Sequence, residues 1–150
     1  MPIFITTSAA MLSSCGPEEP YRFEDNRVVG VDAAKDLALK ATQEGIETYG
    51  ELLSIPLAKR IVAKHGHADL VTAFNVFAHT DDLSGMLEAI KVLMTPHGKF
   101  VFEAQYLGDI LEKTLFPTLF HEHLSHHSVK SLKRFFKRHG MVLTDIQRND

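Results

Sequence analysis

Cysteine, basic charge and long apolar runs are the scarce features of this 150-residue sequence. Its single cysteine, Cys15, excludes a disulfide framework and a zinc site built from cysteines. Lysine and arginine number 16 against 19 acidic residues, and the resulting net charge of −3 offers no surplus to attract nucleic acid or anionic lipid. No run of about 18 apolar residues occurs, so we expect no membrane-spanning segment. The length fits one domain with its own core.

The amino-terminal residues share one pattern with export signals. Leu12-Ser13-Ser14-Cys15 matches a bacterial lipoprotein cleavage site, but no lysine or arginine precedes Arg22. A secretory signal opens with such basic residues, so we predict a cytoplasmic protein. Residues 1–26 are interpreted as an irregular segment, and residues 27–150 as a partial domain.

Strand-like and helix-like segments alternate from Arg27 onward. Strands are predicted at residues 27–31, 46–49, 69–74, 99–103 and 141–146, helices at 33–43, 56–64, 83–94 and 128–138, and a turn at 96–98. This alternation, with short connections, predicts an α/β fold whose mostly parallel sheet carries helices on both faces.

Ligands of such sheets bind beyond the carboxyl ends of the strands, and polar residues occur at three of the predicted ends. Asp32 ends the first strand, and residues 75–79 and 103–106 follow two others. A carboxylate at the position of Asp32 suits a ribose diol, because it accepts both hydroxyl protons. The alternative is an aspartate that caps the next helix.

Residues 75–82, Asn-Val-Phe-Ala-His-Thr-Asp-Asp, connect a predicted strand to a predicted helix. Asn75 and His79 are expected at the rim of the sheet, while Asp81 or Asp82 caps the helix. The alternative for His79 is a packing role.

Four of the nine histidines lie within seven residues of the segment His121-Glu122-His123-Leu124-Ser125-His126-His127-Ser128, here named the histidine segment. Three interpretations stay open. Its spacing resembles the His-x-His-x-Asp-His zinc signature of metallo-β-lactamases, although Ser125 stands where that signature has Asp. The second interpretation is acid–base catalysis, with Glu122 tuning a neighbouring imidazole. The third is a structural turn.

Three stretches together resemble one enzyme family: FNVFAH at 74–79, GKFVFE at 98–103 and FHEHLS at 120–125. They are similar to the class I, S-adenosylmethionine-dependent sugar C-methyltransferases that act on nucleotide-linked 4-keto-6-deoxyhexoses. The resemblance extends over about residues 27–146. It implies a Rossmann-like methyltransferase sheet, S-adenosylmethionine as cofactor and a nucleotide-linked sugar as substrate.

The chemistry of that family starts at a carbon made acidic by a neighbouring ketone. A base removes its proton, hydrogen-bond donors hold the enolate, and the carbon attacks the methyl group of the cofactor. The resemblance implies that His123 is the base, supported by Glu122, and that His79 lies near the substrate or enolate.

The same resemblance implies binding roles. Asp32 corresponds to the residue that holds the cofactor ribose, and Asn75 lies at the pocket rim. The substrate-binding positions are His121, Phe120 and Tyr106.

Departures from the family pattern accompany this resemblance. No Gly-x-Gly occurs before Arg27, so the loop that wraps the methionine part of the cofactor has no counterpart. Thr7-Ser8-Ala9-Ala10 would bring Cβ atoms there, and we expect weak or absent cofactor binding by this chain alone. Phe120 replaces a tyrosine, and His126-His127 replaces an aromatic pair. The family's zinc domain, last strand and carboxy-terminal domain are also missing, so the chain resembles the middle of such an enzyme.

The fold also needs a strand between those at 27–31 and 69–74, since an empty slot would bury unpaired backbone groups. We predict that Pro2 to Thr7 fills it as a parallel strand.

The resemblance makes S-adenosylmethionine-dependent C-methylation the leading function. The alternatives are a non-catalytic remnant or assembly partner that binds through an exposed sheet edge or an uncovered pocket, and a zinc hydrolase.

Overall fold

The computed structural model describes residues 27–118 and 121–148, together with the backbone of residues 2–6. Five strands among them form one sheet in the order β3-β2-β1-β4-β5: β1 Pro2–Thr6, β2 Val29–Asp32, β3 Thr48–Tyr49, β4 Ala68–Phe74 and β5 Met94–Glu103. The helices are α1 Lys35–Gln43, α2 Ile55–His65, α3 Leu83–Leu93, α4 Leu107–Glu112 and α5 Val129–Arg138, with 3-10 turns at Phe77–His79 and Phe116–Thr118. No helix in this part of the chain is long and apolar enough to cross a membrane.

Strand β1 occupies the centre of the sheet. It pairs in parallel with β2 on one side, where Ile3 lies beside Val29, and with β4 on the other, where Ile5 lies beside Ala73. This is the position predicted from the sequence for the amino-terminal strand. Residues 7–26, which include Cys15 and the Thr7–Ala10 stretch, lie outside the described residues.

The strand order places helices on both faces of the sheet. The chain runs from β1 through β2 to β3 in one direction, and from β4 to β5 in the other. Right-handed crossovers then put α1 on one face and α2 and α3 on the opposite face. All pairings described are parallel. The predicted α/β class, a Rossmann-like sheet, is confirmed, and its direction reverses between β1 and β4, where ligands of such folds bind.

Helices α2 and α3 pack together over the sheet through an apolar stripe on each helix. Each helix begins at a residue whose side chain caps it. The Ser54 hydroxyl accepts the Leu57 N–H at the start of α2. The Asp82 carboxylate accepts the Gly85 N–H at 2.8 Å and begins α3. Of the two aspartates predicted as caps, Asp82 is therefore the one that caps. The buried stripes carry Leu57, Ala58 and Ile61 on α2 and Met86, Leu87, Ala89, Ile90 and Leu93 on α3.

The turn predicted at residues 96–98 is instead part of β5. The register of β5 against β4 shifts between Ala68 and Leu70, which pair with Met94 and Lys99, so β5 bulges there. A Cβ atom at Gly98 would lie 3.0 Å from the carbonyl oxygen of Ala68. Glycine thus lets the bulge close onto β4, and this explains why the prediction of a turn was wrong.

The strand predicted at residues 141–146 is also absent from the described structure. The Met141 N–H closes the end of α5 on the Phe136 carbonyl, and residues 141–148 continue without regular structure. Val142 is 81% exposed, because no described strand lies beside it to pair with its backbone. The apolar pattern was correct for a strand, but the neighbour that a strand requires is missing.

Helix α4 was not predicted. At six residues it is too short to show a helical period, and a contact distant in sequence holds its start. The Leu107 N–H donates to the His127 carbonyl at 2.8 Å, beside a parallel bridge between Tyr106 and His127. This contact fixes the histidine segment against the end of β5.

Candidate functional site

A cleft of about 510 Å3 opens at the carboxyl edge of the sheet. The lining residues include Val31 within β2, Ala33 after β2, residues 51–56 after β3, and Val76 with residues 79–82 after β4. The cleft thus lies beside the strand reversal, where the topology places a ligand. Leu52, Leu53 and Ile55 make one wall apolar.

Asp32 lies between two residues that line the cleft and is 2% exposed. Its Oδ1 accepts the Ala34 N–H at 2.7 Å, just before α1. Burial raises the pKa of the Asp32 carboxyl above its usual value, and the hydrogen bond from Ala34 partly offsets this rise. This is the contact with the start of α1 that the alternative interpretation, a helix-capping aspartate, requires. The carboxylate can still accept hydrogen bonds from further donors.

Asn75 turns the chain away from the sheet at the end of β4. Its φ of 54° lies in the left-handed region, which asparagine tolerates better than most residues. The Asn75 N–H donates to the Glu103 carbonyl at 3.2 Å. From this position the chain enters the 3-10 turn at residues 77–79, which brings His79 to the cleft.

The structure brings His79 and His123 together. Their ring centroids are 4.8 Å apart with an interplanar angle of 64°, and His126 follows 5.8 Å from His123. The Leu124 N–H donates to the Ala78 carbonyl at 2.7 Å and holds the histidine segment on the 77–79 turn. Two residues far apart in sequence therefore meet at one edge of the sheet.

Ser125 and His127 anchor the histidine segment, and the sequence interpretation gave neither of them a role. The Ser125 hydroxyl donates to the Phe77 carbonyl at 3.3 Å, and His127 Nε2 lies 3.1 Å from that hydroxyl. His127 also packs edge-on to the Phe77 ring, with centroids 6.0 Å apart. The available signal was the replacement of an aromatic pair by His126-His127, since His127 packs as an aromatic side chain would.

The pKa of His127 is lowered from its ordinary value of 6.5, first by burial and also by the neighbouring His126, while the Phe77 carbonyl acts in the opposite direction. The unfolded chain therefore binds the proton more readily, and stability falls as the pH drops below about 6.5. We expect His127→Gln, which cannot titrate, to reduce this fall. Urea unfolding at about pH 7.5 and about pH 5.5 measures it.

His121→Gln is the matched control for this prediction, because the His121 side chain is 91% exposed. It should leave the loss of stability between the two pH values unchanged. The same loss in the parent chain and in His127→Gln would contradict the role of His127.

The remaining predicted residues lie elsewhere. The Glu122 carboxylate is 63% exposed and lies 4.0 Å from His121 Nε2, and the support of His123 by Glu122 stays a prediction. An exposed carboxylate keeps its hydration at little cost, which favours this outward position. Tyr106 does not line the cleft, because it starts α4 and has the Arg148 guanidinium 5.8 Å above its ring. Phe120 lies outside the described residues.

The described residues contain no set of side chains that could bind a metal ion. Across residues 27–118 and 121–148, no three side chains of His, Cys, Asp or Glu come close enough to hold an ion. The zinc interpretation of the histidine segment therefore lacks ligands in the part of the chain that is described.

Comparison with known proteins adds independent evidence. A family model described as a methyltransferase domain matches residues 10–146. The chain is 37% identical over 132 residues to the C-methyltransferase NovU of Streptomyces niveus, an alignment that covers 88% of this chain and 31% of that relative. The chain thus spans about a third of the length of the relative that it matches. With the parallel sheet and the cleft at its carboxyl edge, these matches show that the chain belongs to the methyltransferase-domain family, among the class I, S-adenosylmethionine-dependent methyltransferases.

Proposed function

We propose that this chain carries out S-adenosylmethionine-dependent methylation of a carbon next to the ketone of a nucleotide-linked deoxysugar. The observation that carries the proposal is the contact between His79 and His123. Their ring centroids are 4.8 Å apart beside the cleft. The printed name of the relative, a C-methyltransferase, supports carbon as the methylated atom. The sugar follows from the resemblance of the histidine segment.

Two features at and beside the cleft support a site for S-adenosylmethionine there. The buried Asp32 carboxylate has one backbone donor among the described residues, and two ribose hydroxyls would complete its hydrogen bonding. Apolar side chains, including Leu52 and Leu53, offer a wall for a flat ring such as adenine. Asn75 stays a predicted rim contact. When bound, S-adenosylmethionine supplies an electrophilic methyl group.

In the proposed reaction His123 removes the proton from the carbon next to the ketone, because an imidazole exchanges protons near neutral pH. His79, in contact with His123, donates a hydrogen bond to the oxygen of the developing enolate. The enolate carbon is then the nucleophile. The support of His123 by Glu122 remains a prediction. The roles of His121, Phe120 and Tyr106 in holding the sugar remain predictions as well.

A second candidate function is a non-catalytic chain that keeps the methyltransferase fold and binds a partner. The absence of Gly-x-Gly before Arg27 favours it, because a glycine-rich loop lets backbone approach a cofactor closely. The two candidates differ in whether the chain binds S-adenosylmethionine and transfers its methyl group.

The test is calorimetric titration with S-adenosylmethionine, followed by incubation with labelled cofactor and a nucleotide-linked 4-keto-6-deoxyhexose. We expect binding at millimolar cofactor, and label attached through carbon to the ketosugar but not to its 4-hydroxy counterpart. Asp32→Asn should weaken cofactor affinity roughly 10- to 150-fold, the loss of about 1.5–3 kcal/mol from hydrogen bonds to a charged group.

Asp36→Asn is the matched control, since Asp36 is exposed on the first turn of α1. Its affinity should equal that of the parent chain. If the parent chain binds no cofactor at millimolar concentration, the enzymatic proposal fails and the non-catalytic candidate is favoured.

A further inference from the structure

We propose that His126 is a positioning residue for His123, and that its Nδ1 atom accepts the N–H of the His123 ring while His123 removes the proton from the sugar carbon. The inference rests on the reaction proposed above. It adds to that reaction the group that holds the reacting imidazole in one tautomer. His126 acts through His123 and makes no contact with the sugar in this scheme.

The backbone between the two histidines is fixed on the turn that follows β4. The Leu124 and Ser125 N–H groups both donate to the Ala78 carbonyl, at 2.7 and 3.4 Å. The ring centroids of His123 and His126 are 5.8 Å apart, with an interplanar angle of 86°. Ring nitrogens at such a separation can share a hydrogen bond directly or through one water, and bonds of this kind often tighten only when the substrate is bound. The two imidazoles are thus held as neighbours before any sugar binds.

The Nδ1 atom of His126 is buried and has no hydrogen-bond partner among the described residues. A buried polar atom without a partner costs free energy, and native proteins keep few of them. Chain packed on the outside of the molecule could not reach this nitrogen, because the atom is already covered. A neutral imidazole has one acceptor nitrogen, so His126 can offer Nδ1 as an acceptor beside the His123 ring.

The adjacent histidine, His127, is committed to a different contact. Its Nε2 atom lies 3.1 Å from the Ser125 hydroxyl and 3.4 Å from the Phe77 carbonyl. Its ring also packs edge-on to the Phe77 ring. His127 thus anchors the histidine segment, whereas the ring of His126 lies beside His123.

The proposed step moves one proton and leaves His126 chemically unchanged. One ring nitrogen of His123 takes the proton from the carbon next to the ketone, the C–H bond breaks, and its electron pair passes into the enolate. The other ring nitrogen of His123 keeps its proton and donates it in a hydrogen bond to His126 Nδ1. This bond fixes which nitrogen of His123 is free to act as the base, and it strengthens as the imidazolium charge develops.

Two substitutions of His126 separate this role from a packing role. His126→Phe keeps a ring but removes the acceptor, so hydrogen exchange at the sugar carbon should slow about 10- to 150-fold, the range for one hydrogen bond to a charged group. His126→Asn removes the ring, but its Oδ1 replaces Nδ1 as an acceptor at the same distance from the backbone. Exchange in His126→Asn should therefore stay within a few-fold of the parent rate. A packing role predicts the reverse order of the two variants.

The His123 ring itself gives a readout that needs no reaction. Nitrogen-15 spectra in mildly alkaline buffer should show one tautomer of His123 in the parent chain and in His126→Asn, and a mixture of both tautomers in His126→Phe. Urea unfolding should give His126→Phe a midpoint no lower than that of the parent, because the unpaired buried nitrogen is gone. His97→Phe makes the same change at an exposed position that does not line the cleft, and it should alter neither the exchange rate nor the His123 spectrum.

Slow exchange in His126→Phe, together with near-parent exchange in His126→Asn, supports the inference. Equal exchange rates in the parent chain and in His126→Phe overturn it, and so does a His123 tautomer that is unaffected by loss of the acceptor. A parent chain that exchanges no hydrogen rejects the reaction proposed above. In that case a His123 tautomer that depends on His126 would still support the hydrogen bond between the two rings.

Discussion

His123→Ala is expected to abolish the exchange of hydrogen at the carbon next to the ketone of a nucleotide-linked 4-keto-6-deoxyhexose. In the proposed reaction the His123 imidazole is the group that removes this proton, and loss of a general base lowers a rate about 10²- to 10⁴-fold. Nuclear magnetic resonance in deuterated water follows the exchange directly. This measurement needs no methyl transfer, so it tests the base separately from the affinity for the cofactor.

His97→Ala is the control, because it removes an exposed imidazole from β5 at a position that does not line the cleft. Exchange in this variant should remain within a few-fold of the parent rate. If His123→Ala exchanges the hydrogen as fast as the parent chain, His123 is not the base.

Phe77→Ala is expected to destabilise the protein by about 3–5 kcal/mol, a large part of the stability of a chain of this size. The Phe77 side chain is fully buried. Its ring stacks on Phe102 at 4.5 Å and contacts Phe100, Phe136 and His127. Alanine would leave a cavity among these rings. Urea unfolding followed by circular dichroism measures the loss.

Phe116→Ala makes the same chemical change in the second 3-10 turn, where the phenylalanine is 68% exposed. It should change the free energy of unfolding by less than about 0.5 kcal/mol. Equal effects of the two substitutions would contradict the position of Phe77 in the core. Because the Phe77 ring also packs against His127, we expect Phe77→Ala to loosen the histidine segment as well.

The parts of the fold that were predictable are those with a repeated local pattern. Strand β4 is marked by an apolar run and helix α3 by an apolar stripe along one face. Both patterns can be read from the sequence alone. Residues 141–146 have the composition of a strand, yet a strand also needs a neighbour, and no sequence pattern supplies that. Helix α4 depends on a hydrogen bond to His127, which is equally invisible in the local sequence.

The site divides in the same way. The meeting of His79 with His123 could be expected, because both follow elements that end at one edge of a parallel sheet and the resemblance puts both at the substrate. The pairing of Glu122 with His121, and the anchoring of His127 under Phe77, depend on how a loop docks. Loop docking is decided by hydration and packing across the whole molecule, which residue spacing does not encode.

The central position of β1 has a kinetic consequence. One of its two neighbours, β4, lies roughly 70 residues further along the chain, so their pairing carries a large loop-closure entropy. Neither half of the sheet can acquire its full set of backbone bonds until the two meet across this strand. We therefore expect folding in a single, comparatively slow, all-or-none step, with amide protons in β2 and β4 released to solvent together.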